Sequence, residues 1–100
     1  MKTEGYCCGD RESQKTKPVP NVLAPFQARE IHELIRNIER NIRPRMYRGI
    51  FLSPFDNTNL GAADYEHDGW RWSSSLSDYF VLQHRVRPSD EFLKYIGWLS

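Results

Sequence analysis

The hundred-residue chain has only two cysteines, no long apolar run and almost no net charge, and each shortage removes a class of protein. Cys7 and Cys8 are adjacent, so they offer neither a framework of bridges nor a spaced pair of zinc ligands. No stretch approaches the roughly 18–20 apolar residues that cross a bilayer, and the opening MKTEGYCCGD lacks the apolar segment of a secretory signal. The expectation is a protein without membrane contact in an intracellular setting, cytoplasmic or nuclear. The six glycines are isolated, so no glycine loop is available to cradle phosphate. A net charge of +1 argues against a surface given over wholly to phosphates.

What is present is aromatic. Three Trp, five Tyr and five Phe imply a small packed core. Charge is also unevenly placed: residues 1–53 carry ten Lys or Arg against six Asp or Glu, and residues 54–100 carry four against seven. An anionic partner is therefore expected on the first half.

Residues 1–21 read as a disordered tail, rich in Lys, Ser, Thr and Pro, and residues 22–100 as a single domain. A helix is expected from Pro25 or Phe26 to Ile42, because proline suits a first turn and Pro44 closes the far end. Ile31, Leu34, Ile35, Ile38 and Ile42 share one stripe about 100° wide. Arg29, Arg36, Arg40 and Arg43 fall opposite that stripe, with Glu33 and Glu39 near enough to pair with them. Arg45 and Arg48 extend the run, so five arginines between Arg36 and Arg48 face one glutamate.

Met46 to Leu52 reads as a strand, Asp56 to Ala63 as a loop, and DGWRW as a strand that follows an Asp-Gly turn. Trp70 and Trp72 are expected in the core, leaving Arg71 outward. Asp64 to Asp68 is expected as an exposed acidic loop. Asp78 to Arg87 alternates and reads as a further strand. Ser89 caps a short last helix that Gly97 stops. The expected fold is α+β: about three antiparallel strands on one long amphipathic helix, with a short C-terminal helix.

No metal site is expected, since His32, His67 and His84 are far apart and His32-Glu33 lacks the second histidine of a zincin helix. The loop DNTNLG has a glycine at the sixth position of a calcium loop but lacks the carboxylates around it. No cofactor and no catalytic residue are expected, as no glycine-framed serine accompanies the Asp64, Glu66, His67 and Asp68 cluster. DGWRW is similar over five residues to the strand opening of WRKY-type DNA-binding domains. Ser73 to Ser75 replace the Lys-Tyr-Gly-Gln continuation of that family and no downstream cysteine pair follows, so its properties are not transferred.

The leading expectation is a small non-enzymatic module that binds another protein through an Arg-lined helix face and the Trp/Arg strand. The candidate contacts are Arg29, Arg36, Arg40, Arg43, Arg45, Tyr47, Arg48 and Arg71. The first alternative is DNA or RNA held at phosphates by Arg36, Arg40, Arg43, Arg45 and Arg48. The second is a metal-independent nuclease or hydrolase that uses His67. Self-association as a homodimer stays open.

Overall fold

The computed structural model describes residues 2–4, 19–46, 52–53, 55–61 and 63–100. Its first helix, α1 (Pro25–Glu39), begins as expected, with Pro25 in the first turn. Gln27 reaches back and its Oε1 accepts the Ala24 N–H at 2.9 Å, satisfying a donor that the helix itself leaves open. The helix ends three residues before Ile42, in tight turns from Asn41 N–H to the Ile38 carbonyl and from Ile42 N–H to that of Glu39.

The buried residues of α1 are Ala28, Ile31, Ile35 and Glu39. On a helical wheel this face is turned by about 50° from the isoleucine stripe, toward Glu39. A glutamate inside the core overrides the apolar pattern because its carboxylate is fully engaged. Oε2 accepts from Trp72 Nε1 at 2.9 Å, and Oε1 accepts from Arg36 Nη1 at 3.2 Å and Ser77 Oγ at 3.4 Å. The rotation leaves Leu34 and Ile38 half-buried at one margin.

Four strands form one mixed sheet in the order β1-β4-β3-β2: β1 (Lys2–Glu4), β2 (Arg45–Met46), β3 (Ala63–His67) and β4 (Trp70–Ser73). The β3–β4 hairpin turns at Asp68-Gly69, where both residues have positive φ, 49° and 79°. That is the type I′ geometry which matches strand twist, and Asp-Gly is among the few pairs that adopt it without cost. Tyr65 sits opposite Trp72 and His67 opposite Trp70. Trp70 and Trp72 turn inward, against Phe92 at ring separations of 5.3 and 5.6 Å.

Several expectations need correction. Asp64 to Asp68 is no exposed acidic loop: Asp64 to His67 belong to β3, and Asp64 is fully buried. Lys2–Glu4, expected in a disordered tail, pairs in parallel with β4, which makes the sheet mixed rather than wholly antiparallel. The strand expected over Met46–Leu52 is described only at its ends, as β2 and a bridge from Leu52 to Asn59, while residues 47–51 lie outside the described residues. The loop through Asp56 holds as expected, tied by Asp56 and Asn59 side chains to the Thr58 and Gly61 amides.

The largest correction concerns Asp78–Arg87. Leu76–Gln83 is a π-helix, with Phe80 N–H donating to the Ser75 carbonyl and His84 N–H to that of Tyr79. Alternation would bury Leu82 and expose Val81, yet Leu82 is 39% exposed and Val81 is 0%. Leu76, Ser77, Tyr79, Phe80 and Val81 are all buried where the segment packs on α1, and three of them, Tyr79 to Val81, are consecutive, a run that a half-buried strand cannot place. The chain then doubles back. Arg85 takes a positive φ of 56°, and the carbonyls of His84 and Arg85 accept the amides of Asn21, Val22 and Leu23.

The last helix, α2 (Asp90–Tyr95), matches expectation: Ser89 Oγ accepts from the Phe92 amide, and Asp90 and Glu91 stand at the positive end of the helix. Gly97, at φ 90°, ends it. Trp98 N–H donates to the Leu93 carbonyl at 2.9 Å and Gly97 N–H to that of Lys94 at 3.2 Å, the paired bonds of a Schellman turn. The whole is a small α+β fold, and among the described residues no helix is long and apolar enough to cross a membrane.

Candidate functional site

The structure separates the arginines that sequence grouped together. Arg36 is half-buried and spent on Glu39. Arg40 is exposed but donates to Asn37 Oδ1 at 2.6 Å and reaches Glu33 at 3.5 Å. Arg45 donates to Glu66 Oε1 at 2.5 Å, across the β2–β3 pair. Arg71 does not face outward as expected, because its Nε donates to the buried Asp64 carboxylate. Tyr47 and Arg48 lie outside the described residues. Arg29 and Arg43 are exposed, and among the described residues neither has a carboxylate within ion-pair distance. Arg29 lies in the second turn of α1 and Arg43 four residues beyond its end, so the two do not form one cluster on the helix.

Arg29 does open onto a concave surface. A groove of about 630 Å³ is lined by Arg29, Glu30, Glu33 and Leu34 of α1 and by Gly97 and Trp98 from the C-terminal turn. Each wall has a local cause. The rotation of α1 toward Glu39 swings Leu34 to the helix margin. The Schellman turn folds Trp98 back over α1, where its Nε1 donates to Glu30 Oε2 at 3.1 Å. With Glu30 holding the indole and Glu33 facing Arg40, both acids of the groove are engaged, and among the described residues Arg29 is its charged group without an ion-pair partner. Sequence reasoning found Arg29 but missed Trp98 and Leu34. The signal for Trp98 was present in the run Gly97-Trp98-Leu99, since a helix-ending glycine directs the next apolar residue back onto the helix.

The histidine sites resolve differently. His67, at the end of β3, shares a short hydrogen bond from its Nδ1 to the Tyr95 hydroxyl, and Asp68 Oδ2 lies 3.4 Å from the same nitrogen. Burial, with Asp68 adding to it, pushes the Tyr95 phenol up to about 12, so Tyr95 stays protonated and donates rather than acting as a nucleophile. His32 Nε2 meets Asp78 at 2.6 Å, linking α1 to the π-helix. His84 lies between the Phe55 and Tyr79 rings at 4.6 and 4.5 Å. Among the described residues no group of three or more His, Cys, Asp or Glu is placed to hold a metal ion; Cys7 and Cys8 lie outside them.

Two carboxylates, Glu39 in the core and Asp56 on the exposed loop, have distinct environments. Burial raises the Glu39 carboxyl above its ordinary value, an effect moderated by the Trp72 indole and by Arg36. Asp56 is held down at about 2, chiefly by its hydrogen bonds to Thr58 and from the Tyr79 hydroxyl at 2.8 Å.

Compared with protein-family models, curated protein sequences and solved structures, the chain matches none.

Proposed function

We propose that this domain binds another protein, and that the groove between α1 and the C-terminal turn is where it does so. The observation that carries the reading is the pairing of Trp98, fixed at its indole nitrogen by Glu30, with an Arg29 guanidinium that no described acidic group neutralises. Trp and Arg set together over a half-buried leucine are the side chains that dominate protein–protein affinity, because they combine area with directed hydrogen bonds. The partner is a segment that presents an aliphatic side chain to Leu34 and Trp98 and a carboxylate to Arg29. This narrows the Arg-lined helix face to one end of α1 and removes the Trp/Arg strand from the contact surface.

Nucleic acid is the weaker reading. A phosphate track needs successive unpaired cations, and Arg36, Arg40 and Arg45 are matched to Glu39, Glu33 and Glu66. Hydrolysis at His67 is weaker still, since its Nδ1 is already engaged by the Tyr95 hydroxyl.

The test is affinity capture from the native host with the intact chain, Arg29→Glu and Trp98→Ala, each with and without nuclease. A partner that is retained after nuclease and lost with Arg29→Glu, while the thermal midpoint stays near that of the intact chain, supports the reading. Loss on nuclease treatment transfers the function to nucleic acid.

A further inference from the structure

The outer edge of β4 is occupied by a strand of only three residues, none of which buries an apolar side chain. Lys2, Thr3 and Glu4 align with Trp70, Arg71 and Trp72, and Lys2 N–H donates to the Gly69 carbonyl at 2.9 Å. Alternate side chains turn to the start of α2. The Lys2 ammonium sits 5.5 Å over the Trp70 ring and 3.3 Å from Glu91. The Glu4 carboxylate accepts both from the Ser89 amide at 2.8 Å and from the Ser89 hydroxyl at 2.6 Å. The seat therefore reads a cation and a carboxylate two residues apart, in parallel register.

We propose that this edge is a strand-binding site for a partner segment of the pattern cation-x-carboxylate, and that Lys2–Glu4 fills it in cis as a displaceable strap. Main-chain pairing to a free sheet edge supplies affinity in such sites, and alternate side-chain contacts supply selectivity. Three features make the strap exchangeable. Its side chains are all polar, so little hydrophobic burial holds it. Lys2 and Glu91 are largely exposed, and an exposed ion pair is screened by water and adds little to the hold on the strap. Burial also raises the Glu4 carboxyl above its ordinary value, so the ionised form is seated against a desolvation penalty that its Ser89 bonds only partly offset. The partner strand must carry the charges that Lys2 and Glu4 carry, because Glu91 and the Trp70 face select a cation at one end and the Ser89 donors select a carboxylate at the other. This seat is separate from the groove at Trp98, so failure of either proposal leaves the other standing.

The experiment uses the full chain and two synthetic peptides, one containing Lys-Thr-Glu and the other its charge reversal Glu-Thr-Lys, titrated while the backbone amides of Trp70, Arg71 and Trp72 are followed by NMR. Glu4→Lys and Lys2→Glu each dislodge the cis strap, so one serves if the other fails to fold. The expected result is saturable shifts at those amides with the Lys-Thr-Glu peptide. The intact chain should bind at least about tenfold more weakly than either variant, since a closed strap lowers apparent affinity by the fraction of open molecules. Glu91→Lys in the Glu4→Lys background should remove the preference for this peptide. Equal binding of the two peptides, no binding to either strap variant, or exchange of the strap between copies into a dimer would each overturn the proposal.

Discussion

Glu39 and Trp72 meet inside the core, carboxylate to indole, and join the long helix to the central hairpin. Because burial raises the Glu39 carboxyl above its ordinary 4.5, the folded protein holds this proton more tightly than the unfolded chain does. The stability this contributes is complete below that ordinary value and is lost as pH rises through the folded one. Glu39→Gln cannot ionise. The difference in thermal midpoint, variant minus parent, should therefore grow more positive as pH rises from 4.5 toward neutrality. Melts across that range check it, and a flat difference contradicts it.

Asp64 and Arg71 behave as one unit. Asp64 is fully buried, whereas the Arg71 side chain is 24% exposed, so either partner alone is poorly solvated. Asp64→Ala and Arg71→Ala should each lower the urea midpoint, since each removes one side of a largely buried ion pair. The double variant should cost clearly less than the sum, and simple additivity would show that the pair is not coupled.

Tyr79 supports the 53–58 loop from below, its hydroxyl donating to Asp56 and lying 2.5 Å from Ser53 Oγ. Since the Asp56 carboxyl is lowered from 3.8 to about 2, its contribution is present above the ordinary value and is lost as pH falls through about 2. Tyr79→Phe should therefore lower the midpoint at mildly acidic pH, with the gap narrowing as the acid is protonated. A gap that stays constant down to about pH 2 would assign the effect to packing alone.

Gly69 occupies the second turn position at φ 79° with open space where a Cβ would stand. The cost of Gly69→Ala is thus conformational rather than steric, about 1–2 kcal/mol. It should appear as a lower urea midpoint with an unchanged denaturant slope.

What could be read from the residues was the local chemistry. Pro25, the Asp68-Gly69 turn, the Ser89 cap and the Gly97 stop depend on neighbours in the chain, and each stands where its residue type requires. The two core tryptophans followed from alternation. What could not be read were the features decided by distant contact. Glu39 is inside only because Trp72 and Ser77, more than thirty residues away, supply donors. Arg71 looked exposed until β3 brought Asp64 across from it. The π-helix shows the same limit: β-branched and aromatic residues that alternate favour a strand locally, and packing on α1 outweighed that preference. In the candidate groove, Arg29 stood out by charge, whereas Trp98 needed the Schellman turn to be placed.

The parallel pairing of Lys2–Glu4 with Trp70–Trp72 also sets an order of assembly. The strap residues precede the hairpin in the chain, yet their seat does not exist until the hairpin has emerged, and Ser89 comes later still. The hairpin and the π-helix can close over short distances, whereas the outermost strand must wait for nearly the whole chain. The strap is thus made before its seat and placed after it, and a nascent chain passes through an interval in which that sheet edge stands bare.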